Sequence, residues 1–170
     1  MKEINILKEK IIKPADFFKL AAREFKKQNL KSIYFFRRHS QKNTFWLEYP
    51  AKEKNFYLSK EEISCLSLNK GKEVIYPQEE LAGTTYLKHE AVVLESLKKK
   101  IQYYEIYALI PLYLEGKIIS LIIFSGNKEK HNFYKKYKYI KKIKLEVQNI
   151  LASILLYNQA IKRIIKNKTK

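Results

Sequence analysis

The clearest structural pattern in the sequence lies in residues 106–125, which read IYALIPLYL (106–114), EG (115–116) and KIISLIIFS (117–125). Two apolar runs of equal length, joined by a two-residue turn that contains glycine, predict an antiparallel β-hairpin. Both runs are apolar at successive positions, and therefore on both faces of a strand. We expect the hairpin to lie at the centre of a sheet that is covered on each side.

The residues before the hairpin alternate between helical and strand-like patterns. Pro14 suits the first turn of a helix, and Asp16 is favourable near its positive end. Ser59-Lys-Glu-Glu62 has the spacing of a capping box and predicts a short helix. The predicted elements in chain order are a helical segment in 1–13, a helix from Pro14 to Asn29, strands at 32–38 and 44–49, the short helix after Ser59, a short strand at 72–76 and a helix at 88–100.

After the hairpin, the pattern predicts one long helix from Phe133 to about Lys166. Its apolar residues recur at alternating intervals of three and four, which is the spacing of a heptad seam. The seam consists of Ile140, Ile143, Val147, Ile150, Ile154, Tyr157, Ile161 and Ile164. We expect this helix both to cover the sheet and to pair with a second copy of the chain, in parallel or antiparallel orientation.

These elements together predict an α/β (α+β) fold with a central antiparallel sheet, helices on both sides and a long C-terminal helix. A length of 170 residues fits one domain. We assign residues 1–13 to an N-terminal helical segment, 14–160 to the domain and 161–170 to a basic tail.

The hairpin and its surroundings resemble a GAF domain. The family has an apolar strand ending in Pro-Leu, a turn with glycine and a second apolar strand, which are matched here by Pro111, Leu112, Gly116 and residues 118–124. The family then continues through a polar loop and an aromatic residue into a long helix that ends near an asparagine. Similar residues follow here: His131-Asn-Phe133, then Leu151, Ala152 and Asn158. In front of the hairpin, the segments Lys72–Tyr76 and Leu94–Tyr104 resemble the version of the domain found in some bacterial sensor histidine kinases.

The resemblance implies a regulatory protein that senses a small ligand or links partners in a signalling complex. The Asn-Lys-Phe-Asp-Glu signature of members that bind cyclic nucleotides is absent, and no kinase, cyclase or phosphodiesterase segment follows the hairpin. We therefore expect no enzymatic activity and no cofactor. A small-molecule pocket would lie between the sheet and residues 78–101. Its polar contacts would come from Thr84, Thr85 and His89, and its apolar walls from Phe35 and Leu109.

Composition excludes several classes of protein. The longest apolar run has nine residues and contains Pro111, so we expect no membrane-spanning helix. One cysteine rules out a disulfide framework within the chain. The three histidines lack the spacing of a metal motif, so no metal site is predicted. The charged N-terminal residues do not form a secretion signal, and a cytoplasmic protein is expected.

The net charge of +18 reflects either a general compositional bias toward lysine or attraction to nucleic acid or another anionic surface, and nucleic acid is therefore an alternative partner. Residues 127–170 hold 13 basic and two acidic side chains, with tyrosines interleaved among the lysines. Lys135, Lys138 and Lys142 are the expected contacts on the solvent face of the long helix. The chain has 31 Lys and only four Arg. We therefore expect any binding to be weak and independent of sequence.

Overall fold

The computed structural model describes residues 10–39, 44–50, 55–66, 68, 71–82 and 88–169, with residues 88–90 described by their backbone only. The helices are α1 (Pro14–Lys26), α2 (Lys60–Cys65), α3 (Pro77–Glu80), α4 (Lys88–Tyr103), α5 (Lys130–Lys135) and α6 (Tyr137–Lys168). The strands are β1 (Ile33–His39), β2 (Thr44–Tyr49), β3 (Tyr57–Leu58), β4 (Ile106–Leu114) and β5 (Lys117–Ser125). The predicted α+β fold with a long C-terminal helix is confirmed.

The five strands form one antiparallel sheet in the order β3-β2-β1-β5-β4. The predicted hairpin is present with the predicted bounds. Its turn residues, Glu115 and Gly116, have φ values of 51° and 73°, which is the left-handed conformation that tight hairpin turns require.

The expectation that both hairpin strands are central is wrong for β4, which lies at the edge of the sheet. Its Pro111 has no N–H to donate to a neighbouring strand, and strands that contain proline are therefore confined largely to edges. The strand predicted at 72–76 is reduced to a single antiparallel bridge between Ile75 and Leu109 on the outer side of β4. Two backbone hydrogen bonds, of 2.9 and 2.8 Å, form this bridge.

Helices cover both faces of the sheet, as expected. We call these the α1/α6 face and the α2/α4 face. Side chains along β5 alternate between them: Ile122 and Phe124 point to the first, and Leu121 and Ile123 to the second. Apolar residues at successive positions of a strand are all stabilised when both faces of the sheet are shielded from water. This covering of both faces explains the uninterrupted run of apolar residues in the sequence.

Helix α1 begins at Pro14, as predicted, and the chain leaves the helical conformation at Asn29, whose φ is 60°. Residues 1–9 of the predicted N-terminal helical segment lie outside the described residues, and residues 11–13 are not helical. The predicted capping box is present: the Ser59 hydroxyl accepts from the Glu62 backbone N–H, and the Glu62 carboxylate accepts from the Ser59 N–H.

The C-terminal helix is interrupted at Lys136, where φ is −108° and ψ is 14°. Helix α6 then continues without a break to Lys168, so that most of the segment assigned to a basic tail is helical. None of the helices in the described part of the chain combines the length and the hydropathy of a membrane-spanning segment.

Candidate functional site

Helix α6 is 32 residues long and packs one side against the domain. The side chains on this side recur every three or four residues and are buried within the single chain: Ile140, Ile143, Lys144, Val147, Leu151, Ile154, Asn158 and Ile161. Five residues of the predicted dimer seam are therefore buried within their own chain. This finding corrects the predicted dimer contacts at those positions. They are Ile140, Ile143, Val147, Ile154 and Ile161.

A second stripe on α6 remains exposed beside the buried side. Ile150, Tyr157 and Ile164 are exposed to 49%, 42% and 43% of their surface and follow one another at intervals of seven residues. The small residues Ser153 and Ala160 lie between them, one helical turn from each neighbour, and are also exposed. We call these five residues the outer stripe. It extends over about 21 Å of helix.

The middle of α6 carries no charge. Residues 147–161 contain no Lys, Arg, Asp or Glu, although 31% of the whole chain is charged. The helix side that faces water normally carries the charged residues. Depletion of charge around exposed apolar and aromatic side chains is instead typical of the core of a protein interface.

Helix α5 and the start of α6 have the opposite character. Lys135, Lys138 and Lys142 are all exposed, as predicted, and so are Tyr134 and Tyr139. The Lys130 ammonium lies 5.8 Å from the centre of the Tyr134 ring, within the range of a cation–π contact. Exposed lysines and aromatic rings thus do occur together at this end of the molecule.

Lys144 lies on the buried side of α6, close to an exposed ion pair. The Lys141 ammonium is 2.9 Å from the Glu73 carboxylate, and the Tyr137 hydroxyl donates to the same carboxylate at 3.4 Å. Lys144 makes no ion pair within the described residues. Burial lowers its pKa, and the positive charge of Lys141 acts in the same direction, while Glu73 opposes both.

The predicted small-molecule pocket is not assembled as expected. Thr84, Thr85 and the side chain of His89 lie outside the described residues. Phe35 stacks on Phe18 with ring centroids 4.8 Å apart, on the α1/α6 face, whereas Leu109 is buried on the α2/α4 face. Phe35 and Leu109 therefore cannot line the same pocket. The error arises because strand residues of unknown register cannot be assigned to a face.

Much of the space expected for that pocket is filled by side chains. Within the described residues, Leu94, Leu97 and Ile101 of α4 are buried against the sheet. Their cluster includes Leu109, Leu121 and Ile123. A close-packed interior of this kind leaves no room for a ligand where it occurs.

A buried polar cluster that the sequence pattern alone did not predict joins α2 to α4. The Glu62 carboxylate is 2% exposed and accepts hydrogen bonds from the Ser59 N–H at 2.9 Å, the Ser96 hydroxyl at 3.0 Å and the Lys100 ammonium at 2.8 Å. The Lys100 ammonium also donates to the Tyr57 carbonyl at 2.9 Å. The capping-box pattern identifies Glu62 in the sequence, but no sequence pattern indicates that Ser96 and Lys100 of α4 are its partners.

The described residues hold no group of three His, Cys, Asp or Glu side chains placed to bind a metal ion. The outer stripe of α6 and the basic surface formed by α5 and the start of α6 are two candidate interaction surfaces. Comparison with known proteins finds no matching family model, curated protein or solved structure.

Proposed function

We propose that this protein is a non-enzymatic regulatory protein with a GAF-like domain, which acts as a homodimer and serves as a scaffold for a signalling partner. The observation that carries the proposal is the uncharged, apolar outer stripe on a helix whose other side is already buried in the domain. An exposed patch of large apolar residues favours a protein partner. The order of elements that resembles a GAF domain supports the regulatory role.

The outer stripe fits a second copy of itself in antiparallel orientation. Its residues alternate between large and small along the helix. If two helices cross near Leu155, Ile150 of each copy lies opposite Ala160 of the other, and Tyr157 lies opposite Ser153. Such an interface uses the same patch on both copies, as two-fold symmetric dimers do.

Charge also favours the antiparallel orientation. Glu146 is the only acidic residue of α6. In an antiparallel pair it lies within about one helical turn of Lys168 of the second copy, whereas in a parallel pair it would face another Glu146. Opposite charges at the rim of an interface fix its register and orientation.

The dimer is tested by adding charge on two sides of α6. Ile150→Lys together with Tyr157→Lys places two ammonium groups in the outer stripe. The matched control, Leu145→Lys with Gln159→Lys, adds the same charges at two exposed residues, neither of which is one helical turn from a residue of the outer stripe. Light scattering at tens of micromolar should give twice the chain mass of 20.4 kDa for the unmodified protein and the control. It should give the single mass for the stripe variant.

A single mass for the unmodified protein would contradict the proposal, as would equal dissociation of both variants. Ile154→Lys is not used because Ile154 is buried in its own domain. A lysine there would disturb folding as well as association.

Ligand sensing between the sheet and α4 has less support, because the described residues in that space are closely packed.

The single cysteine fits a reducing compartment, and we propose that the protein is cytoplasmic.

A second candidate function is non-specific binding of DNA or RNA through the C-terminal third. It is supported by the exposed lysines Lys135, Lys138 and Lys142 together with Tyr134 and Tyr139.

A further inference from the structure

A cavity of about 230 Å³ lies on the α2/α4 side of the sheet, at the end where the β4–β5 turn is located. It is bounded by the end of β1, by the start of β2, by α2 and by the first residues of β5. Three of the side chains that line it are basic: Arg38, Lys60 and Lys117. None of the described lining residues is acidic.

These three cations are held by different elements and are brought together only by the fold. Arg38 lies opposite Phe45 in the pairing of β1 with β2. Lys60 is the first residue of α2, whose start is fixed by the capping box at Ser59. Lys117 follows the tight turn at Gly116 and opens β5. Sites on such elements are held more precisely than sites on free loops.

The positive charge of the cavity is not fully compensated. Within the part of the chain that the structure describes, neither Lys60 nor Lys117 has a carboxylate partner within ion-pair distance. Charge of one sign in a concave site with apolar walls concentrates the field and raises the local concentration of counter-ions. The apolar walls are supplied by Phe45 and Ile118, both buried.

We propose that this cavity binds a small phosphorylated anion, such as pyrophosphate or a short-chain phosphomonoester. The planar fork of an arginine together with lysine ammonium groups matches the oxygens of a phosphoryl group. The volume is below the range of about 300–1,000 Å³ that holds drug-sized ligands, so the ligand carries only a few carbon atoms besides its phosphate. Phe45 and Ile118 would contact those carbon atoms.

The proposed anion site does not depend on the proposed dimer. The cavity adjoins the α2/α4 face, whereas α6 packs on the α1/α6 face. A regulatory ligand bound in this cavity would give the protein a small-molecule site, which the filled space between the sheet and α4 does not provide.

Isothermal titration calorimetry of the full chain at constant ionic strength tests the site with pyrophosphate, glycerol phosphate, inorganic phosphate, sulfate and succinate. The variants are Lys60→Gln and Lys117→Gln. The control is Lys98→Gln, which removes an exposed lysine from α4 outside the cavity. All three lysines are exposed, so the variants should fold, and circular dichroism checks that they do.

We expect pyrophosphate or glycerol phosphate to bind, and each cavity variant to weaken that binding about tenfold, while Lys98→Gln binds like the unmodified protein. Absence of binding to every phosphate compound would overturn the proposal. Equal weakening by Lys98→Gln would also overturn it, because the attraction would then belong to the overall charge. Equally tight binding of succinate would overturn the assignment to phosphate. Light scattering on the same samples should show unchanged dimers, which separates failure of this site from failure of the proposed function.

Discussion

The side chain of Asn158 makes two hydrogen bonds to the backbone of Ile12. The Ile12 N–H donates to Asn158 Oδ1 at 2.9 Å, and Asn158 Nδ2 donates to the Ile12 carbonyl at 2.7 Å. The two residues are 146 positions apart in the chain. This pair anchors the segment before α1 to the middle of α6, in the way that a neighbouring strand would satisfy both backbone groups.

Replacement of Asn158 by Ala should lower the free energy of unfolding by about 2 kcal/mol, because two partly buried hydrogen bonds are lost and two backbone groups are left unpaired. Urea unfolding followed by circular dichroism, at fixed protein concentration, measures the change. Asn149→Ala is the matched control, since Asn149 is exposed on the same helix. A loss no greater than that of the control would mean that the contact does not contribute to stability.

The Glu62–Lys100 ion pair should be costly to break from one side. Lys100→Met keeps the aliphatic part of the side chain but leaves the buried Glu62 carboxylate without its cation, and it should destabilise the fold by about 3 kcal/mol. Adding Glu62→Gln to this variant should restore part of the loss. Lys99→Met is the control, because its 3.9 Å pair with Glu95 is exposed and should contribute less than about 0.5 kcal/mol. Similar losses in both single variants would contradict this account.

Lys144 should give stability a dependence on pH. Burial lowers its pKa in the folded chain below the ordinary value of 10.5. Below the folded pKa, the chain is destabilised by the full cost of burying a charged ammonium. Between the two pKa values, unfolding takes up a proton, so this contribution to stability rises with pH.

Lys144→Met should therefore raise the free energy of unfolding by about 1 kcal/mol at neutral pH, and this advantage should shrink as the pH approaches 10.5. Burial also raises the pKa values of Tyr113 and Tyr137, which lowers the stability at high pH. This effect is the same in the unmodified protein and in the Lys144→Met variant, so it cancels in the difference between their free energies of unfolding. Lys142→Met, at an exposed neighbour, should show neither effect. A stability difference that does not vary with pH would contradict the assignment to Lys144.

Nucleic-acid binding through α5 and the start of α6 should depend strongly on salt and not on sequence. Changing Lys135, Lys138 and Lys142 to Glu should weaken binding to all single-stranded sequences alike and should reduce the slope of log affinity against log salt by about two. A control in which Lys13, Lys19 and Lys98 become Glu alters the net charge equally. Fluorescence anisotropy at several salt concentrations measures both. Tight binding to one sequence at physiological salt would favour a specific nucleic-acid function instead. Equal weakening by the control would indicate diffuse attraction with no defined contact surface.

Local patterns in the sequence were sufficient for the parts of the fold that depend on neighbouring residues. The hairpin strands at 106–114 and 117–125 have the predicted bounds, because a two-residue turn with Gly116 determines where pairing begins. The start of α1 at Pro14 and the capping box at Ser59 were likewise predicted, since each rests on contacts within a few residues.

Other features depend on residues far apart in the chain and become visible only in the folded structure. The heptad spacing of α6 could not show that Ile154 is buried in its own domain while Ile150 is exposed, because both have the same apolar character. Strand order placed β4 at an edge, and register placed Phe35 and Leu109 on opposite faces. The cavity lined by Arg38, Lys60 and Lys117 has no sequence signature at all. Its charge comes from three elements that meet only after the sheet has formed, and no local spacing encodes such a meeting.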